Sequence, residues 1–108
     1  MDYSRRVVIT GMGILSPLGN SISEFWDGIS NGRNGIRPIE QFDTTDFAVH
    51  IAGEVRDLNF EDYIDRKELN RMDRFTAYAL VTADQAITSA GITSDNVDHD
   101  RVGVIIGP

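Results

Sequence analysis

The stretch DRKELNRMDRF, positions 65–75, holds the residues best placed to act on another molecule. Arg66, Lys67, Arg71 and Arg74 put four of the chain's ten basic residues within nine positions. On one continuous helix, Lys67, Arg71 and Arg74 stand at i, i+4 and i+7 and share a face, with Asn70 beside them. Met72 and Phe75 then turn elsewhere, toward a core. The chain as a whole is acidic, with a formal net charge of −7. A basic stripe on such a chain suits an acidic protein partner. The same residues also read as a solvated face neutralised by Asp65, Glu68 and Asp73, and their types alone leave both readings open.

Two other constellations carry less. Gly11-Met12-Gly13-Ile14-Leu15-Ser16 follows an apolar run, as a dinucleotide-binding turn would. Ser16 stands where the third glycine belongs, Pro17 follows, and no acidic residue comes after a second strand at the required distance. The glycines read better as a turn at the end of a buried strand. His50 lies in an alternating segment and His99 in Asp98-His99-Asp100. One imidazole flanked by two carboxylates falls short of a metal's converging ligand set, so this loop reads as solvated.

Composition narrows the classes. The 108 residues suit one domain, with 41% hydrophobic and 25% charged residues. A chain of this size is expected to bury roughly two-thirds of its unfolded surface. The acidic balance argues against nucleic acid as a partner. There is no cysteine, hence no disulfide, thiolate metal site or thiol nucleophile within these residues. No apolar run matches a signal peptide or a membrane span. The expectation is a cytoplasmic protein with no cofactor.

The elements that must position these residues follow from periodicity. Val7, Val8 and Ile9 suggest a strand over 6–10, buried on both faces. Ser21 and Glu24 have capping-box spacing, and Ile22, Phe25, Trp26 and Ile29 form one apolar face, so a helix is expected over 22–31 with Trp26 in the core. Gly32 stops it. Residues 33–48 read as a long surface loop pinned by Ile36, Ile39, Phe42 and Phe47. Val49, Ile51, Gly53 and Val55 alternate as in a half-exposed strand. A helix is expected over 71–90, with a possible start a few residues earlier, ending at Gly91. Residues 102–106 form a second buried-strand candidate. The order implies an α/β class with partly parallel strands. Two doubly buried strands need more sheet than 108 residues supply, so the chain reads as part of a larger domain.

RRVVITGMGILSPLGN, the helix with Trp26, FDTTDF (42–47), AGEV (52–55), RKELNRMDRF (66–75) and VGVIIG (102–107) occur in an order that resembles β-ketoacyl-ACP synthases of the FabF-like type. The resemblance runs from about residue 5 to the last. It implies a thiolase-like fold, layered αβαβα, whose N-terminal half would begin with residues 1–108, and a homodimer. It implies a decarboxylative Claisen condensation in fatty acid elongation. In that reaction a cysteine holds the acyl thioester, two histidines handle the malonyl unit, and backbone amides bind the oxyanion. All three side chains would lie beyond Pro108. His50 and His99 match neither histidine, so these residues alone are expected to be inactive. The resemblance also implies a dock for acyl- and malonyl-loaded acyl carrier protein at 66–75. Lys67 and Arg71 match its basic positions. Asn70 departs from the pattern, and Arg74, one turn on, is placed to restore the charge. A polyketide ketosynthase segment, a chain-length-factor-like partner without the nucleophile, and a free-standing binding module are the alternatives.

Overall fold

A computed structural model describes residues 5–107. Its elements in chain order are α1 (Ile22–Ser30), β1 (Ile36–Pro38), β2 (Ile51–Gly53), α2 (Arg66–Leu69) and α3 (Arg74–Ala90). Short 3₁₀ turns lie at Phe60–Asp62 and His99–Arg101.

The helix over 22–31 forms as α1, and its cap is built from the expected pair. The Ser21 hydroxyl accepts from the Glu24 N–H at 3.3 Å. The Glu24 carboxylate reaches back one residue further than in the usual box, to the Asn20 N–H at 2.8 Å. Trp26 departs from expectation: it is 67% exposed, because no element among the described residues covers that face of α1. The second helix is split. Asp65 caps α2, its carboxylate accepting from the Lys67 N–H at 2.8 Å. Asn70 ends α2, and extended backbone at Asp73 starts α3. At its far end α3 stops at Gly91, whose φ of 66° is the left-handed geometry glycine adopts without strain.

The loop over 33–48 contains a strand that composition concealed. β1 pairs antiparallel with β2, with Ile36 opposite Gly53 and Pro38 opposite Ile51. Residues 6–10 and 102–106 form no strand and no helix. Val7 is 96% and Ile105 99% exposed. Their composition favours extended backbone, but a strand requires a hydrogen-bonding neighbour, and among the described residues none lies alongside. The sheet among those residues is therefore antiparallel and two-stranded.

Among the described residues the buried core is small, comprising Ile64, Ala77 and Val81, with Leu15, Leu58, Phe60, Leu69 and Met72 packed against it. It falls well short of the burial expected for this length. Phe60 stacks on Tyr78 with ring centroids 5.6 Å apart.

Gly11 and Gly13 do not act as turn residues. Their segment lies directly on α3, and a Cβ at Gly11 would stand 2.2 Å from the Ala86 carbonyl oxygen. At Gly13 it would stand 2.1 Å from that of Thr82. Gln85 secures the same approach. Its side-chain oxygen accepts from the Ile14 N–H at 2.9 Å, and its amide donates to the Asn20 carbonyl at 2.7 Å. The reversal itself comes later, at Ser16–Gly19, closed by two backbone hydrogen bonds of 3.0 and 3.2 Å.

Candidate functional site

The four basic residues lie where α2 hands over to α3, and the break between the helices decides how they stand. Leu69 and Met72 pack inward on Ile64, Ala77 and Val81 and fix the junction to the core. Arg66, Lys67, Arg71 and Arg74 are all exposed around it. Lys67, Arg71 and Arg74 do not share one helix face. Lys67 is in α2, Arg71 in the linking turn, and Arg74 opens α3. The Asn70 cap and the extended Asp73 interrupt the 3.6-residue period on which a single stripe depends. The structure thus gathers the cations over a helix–turn–helix corner.

Their partners differ. Arg66 pairs with Glu61 at 3.7 Å, an exposed contact of little strength. The Arg74 guanidinium donates to the Gln41 side-chain oxygen, from a loop 33 residues earlier in the chain. Among the described residues no ion pair within 4.0 Å involves Lys67 or Arg71. The two cations that match the dock pattern are thus held by none of the carboxylates expected to neutralise them, Asp65, Glu68 and Asp73.

The Gln41 contact leads to a polar network that sequence reading missed. The Glu54 carboxylate is buried and accepts from the backbone N–H groups of Glu40 at 3.1 Å and Gln41 at 3.2 Å. It also accepts from the Arg56 guanidinium at 2.7 Å. That guanidinium, together with the two N–H groups, holds the Glu54 pKa below the ordinary glutamate range. Arg56 donates further to the Pro38 carbonyl at 2.6 Å, and its own carbonyl accepts from the Asn20 side chain. The chain from Glu54 through Gln41 thus sets the backbone from which Arg74 is reached. The available signal was Glu54 and Arg56 two apart at the end of an apolar alternating segment, where buried charges come in pairs.

The remaining candidates do not converge. The His50 ring bonds the Thr44 hydroxyl at 3.0 Å, and the His99 ring the Ser94 carbonyl at 3.0 Å. Among the described residues no three His, Cys, Asp or Glu side chains gather as a metal site. An apolar cleft of about 1000 Å³ opens between residues 11–15, α1, α3 and residues 104–107, with Met12, Trp26, Phe75 and Ile105 on its walls. No carboxylate, imidazole or basic group lines it, so it offers no acid–base chemistry of that kind.

A sequence profile described as "Beta-ketoacyl synthase, N-terminal domain" matches residues 4–108. The chain belongs to the β-ketoacyl synthase family. It is 49% identical over 107 residues to 3-oxoacyl-[acyl-carrier-protein] synthase 2 of Staphylococcus aureus strain N315, covering 99% of this chain and 26% of that protein. The corresponding synthase of Synechocystis sp. is 44% identical over 103 residues, covering 95% of this chain and 25% of the relative. Among solved structures, the ishigamide ketosynthase/chain length factor superposes with a TM-score of 0.79 at 40% identity, covering 86% of this chain and 23% of that one. The fold is therefore that of a thiolase-like ketosynthase N-terminal domain. The chain spans about a quarter of the length of the relatives it matches. Among the described residues no helix is long and apolar enough to cross a membrane.

Proposed function

We propose that residues 1–108 form the N-terminal portion of a 3-oxoacyl-ACP synthase. The whole enzyme condenses an acyl thioester with malonyl-ACP by decarboxylative Claisen chemistry in fatty acid elongation. The observation that carries this reading is the near end-to-end alignment with synthases whose name specifies an acyl-carrier-protein substrate. The 108 residues contain no cysteine, so the thioester-forming nucleophile belongs to another part of the enzyme. These residues contribute scaffold and the carrier-protein dock. Lys67 and Arg71 are the principal cations, flanked by Arg66 and Arg74. The working enzyme is a cytoplasmic homodimer with no cofactor.

Electrostatics favour a dock at this corner. Four cations gather at one corner of a chain with net charge −7, so an acidic partner meets attraction there and repulsion over much of the remaining surface. Each exposed pair contributes about 0.2–1 kcal/mol and acts chiefly on the encounter rate. The test is Lys67→Glu combined with Arg71→Glu in the intact condensing enzyme carrying these residues. The apparent KM for malonyl-ACP is expected to rise severalfold, most at low salt. An unchanged KM would remove the dock assignment.

A second reading, a chain-length-factor-like partner or polyketide ketosynthase segment, is favoured by the 40% identity to the ishigamide ketosynthase/chain length factor. The residues following position 108 in the source gene discriminate. A cysteine positioned for thioester formation supports the catalytic reading, and its absence supports the partner.

A further inference from the structure

We infer that the carrier-protein dock continues from the cationic corner onto the aromatic knuckle of the 41–49 loop, so that Phe42 and Phe47 supply apolar contact beside the cations. This rests on the dock reading above.

The knuckle is ordered by its own polar groups. The Asp43 carboxylate accepts from the Thr45 N–H at 3.0 Å and from the Thr45 hydroxyl at 2.6 Å. The Phe47 N–H donates to the Thr44 carbonyl at 2.9 Å, and the Thr44 hydroxyl bonds His50. The result holds Phe42 and Phe47 edge to face, with ring centroids 5.6 Å apart. Yet the two rings remain 54% and 57% exposed, and Val49 and Ile51 just beyond them are also exposed. A self-bonded loop that displays an aromatic pair to solvent has the makings of an anchor, since ordering it costs a partner little on binding.

The occupant follows from what adjoins the knuckle. Gln41, next to Phe42, accepts the hydrogen bond from Arg74 and ties the loop to the cationic corner. Glu54 fixes the Gln41 backbone from below. Asp43 is engaged by Thr45 and the adjoining Glu40 by Arg56, so Asp46, beside Phe47, is the exposed loop carboxylate that the four cations at the corner must outweigh. A partner seated on Lys67 and Arg71 thus meets aromatic surface beyond Arg74. The surface fits an acidic, amphipathic helical partner: its carboxylates reach the cations and its apolar side chains reach the rings. Acyl carrier protein, the partner already assigned to the cations, is the occupant to which we commit. Division of labour follows. The cations govern encounter and salt dependence, while the rings govern residence time.

The experiment compares three variants of the intact condensing enzyme: Phe42→Ser with Phe47→Ser, Lys67→Glu with Arg71→Glu, and Gln41→Ala. Apparent KM is measured with malonyl-ACP and with malonyl-CoA, a thioester without the carrier protein, over a range of salt. Because both rings are more than half exposed, the serine variant retains its fold, which circular dichroism verifies. Its KM for malonyl-ACP is expected to rise about fivefold or more, with KM for malonyl-CoA unchanged and the salt slope preserved. Gln41→Ala is expected to give a smaller shift of the same kind. If the serine variant leaves malonyl-ACP kinetics unchanged while the charge reversal impairs them, the knuckle is overturned and the cationic dock stands. If neither variant changes them, both are overturned. A loss of equal size with both thioesters identifies a purely structural role and also overturns the inference.

Discussion

Glu54 shows how one side chain can act at a distance from any chemistry. Its folded-state pKa is depressed, chiefly by the Arg56 guanidinium and then by the Glu40 N–H. A depressed carboxyl contributes stability that is present above its unfolded pKa and lost as pH falls through the folded value. Acidification below the ordinary glutamate range is therefore expected to loosen the 40–41 backbone. In urea melts at a series of pH values, Glu54→Gln should be less stable than wild type near neutrality, and the two should converge in acid. Parallel curves would rule the ion pair out as the cause. Gly13 makes the opposite kind of contribution, by having no side chain. Its missing Cβ would meet the Thr82 backbone oxygen rather than a movable side chain. Gly13→Ala is expected to cost about 1–3 kcal/mol in the same assay, as overpacking does.

The elements divide by where their determinants sit. α1 and the end of α3 were legible because cap and stop signals are local: Ser21 with Glu24, and Gly91. Gly91→Ala should lower the unfolding free energy by about 1–2 kcal/mol, the cost of a left-handed alanine, measured by the same melts. The α2–α3 break was less legible. Met72 and Phe75 keep a helical apolar pattern running through it, and the extended backbone at Asp73 that starts α3 is not held by a side-chain cap, so no local signal announced it. β1 escaped because Arg37 and Pro38 carry little strand propensity. Its pairing partner, Ala52 opposite Arg37, lies 15 residues on. The cationic corner was legible as charge density but not as geometry. Its tether to Gln41 spans 33 residues and leaves no periodic trace. Residues 6–10 and 102–106 were read as buried strands and form none among the described residues, since pairing belongs to neighbours and not to composition.

At the scale of the molecule, the radius of gyration is 17.5 Å. A compact domain of this length would have about 13 Å. Three buried hydrophobic residues and an open apolar cleft agree with that expanded form. The isolated 108-residue chain is therefore expected to enhance the fluorescence of anilinonaphthalene sulfonate in native buffer. A compact chain that leaves the dye dark would contradict the cleft.

The Gln85 bridge adds a constraint of timing. Its amide joins Ile14 and Asn20, which precede it by 71 and 65 residues. At ribosomal speeds of about 5–20 residues per second, the N-terminal segment is made roughly 3–14 s before the residue that secures it. During that interval the glycine segment has no helix to lie on, and its apolar neighbours Ile14 and Leu15 are available to any apolar surface nearby. Nascent-chain lengths that stop short of residue 85 should be the ones most readily held by a holdase chaperone.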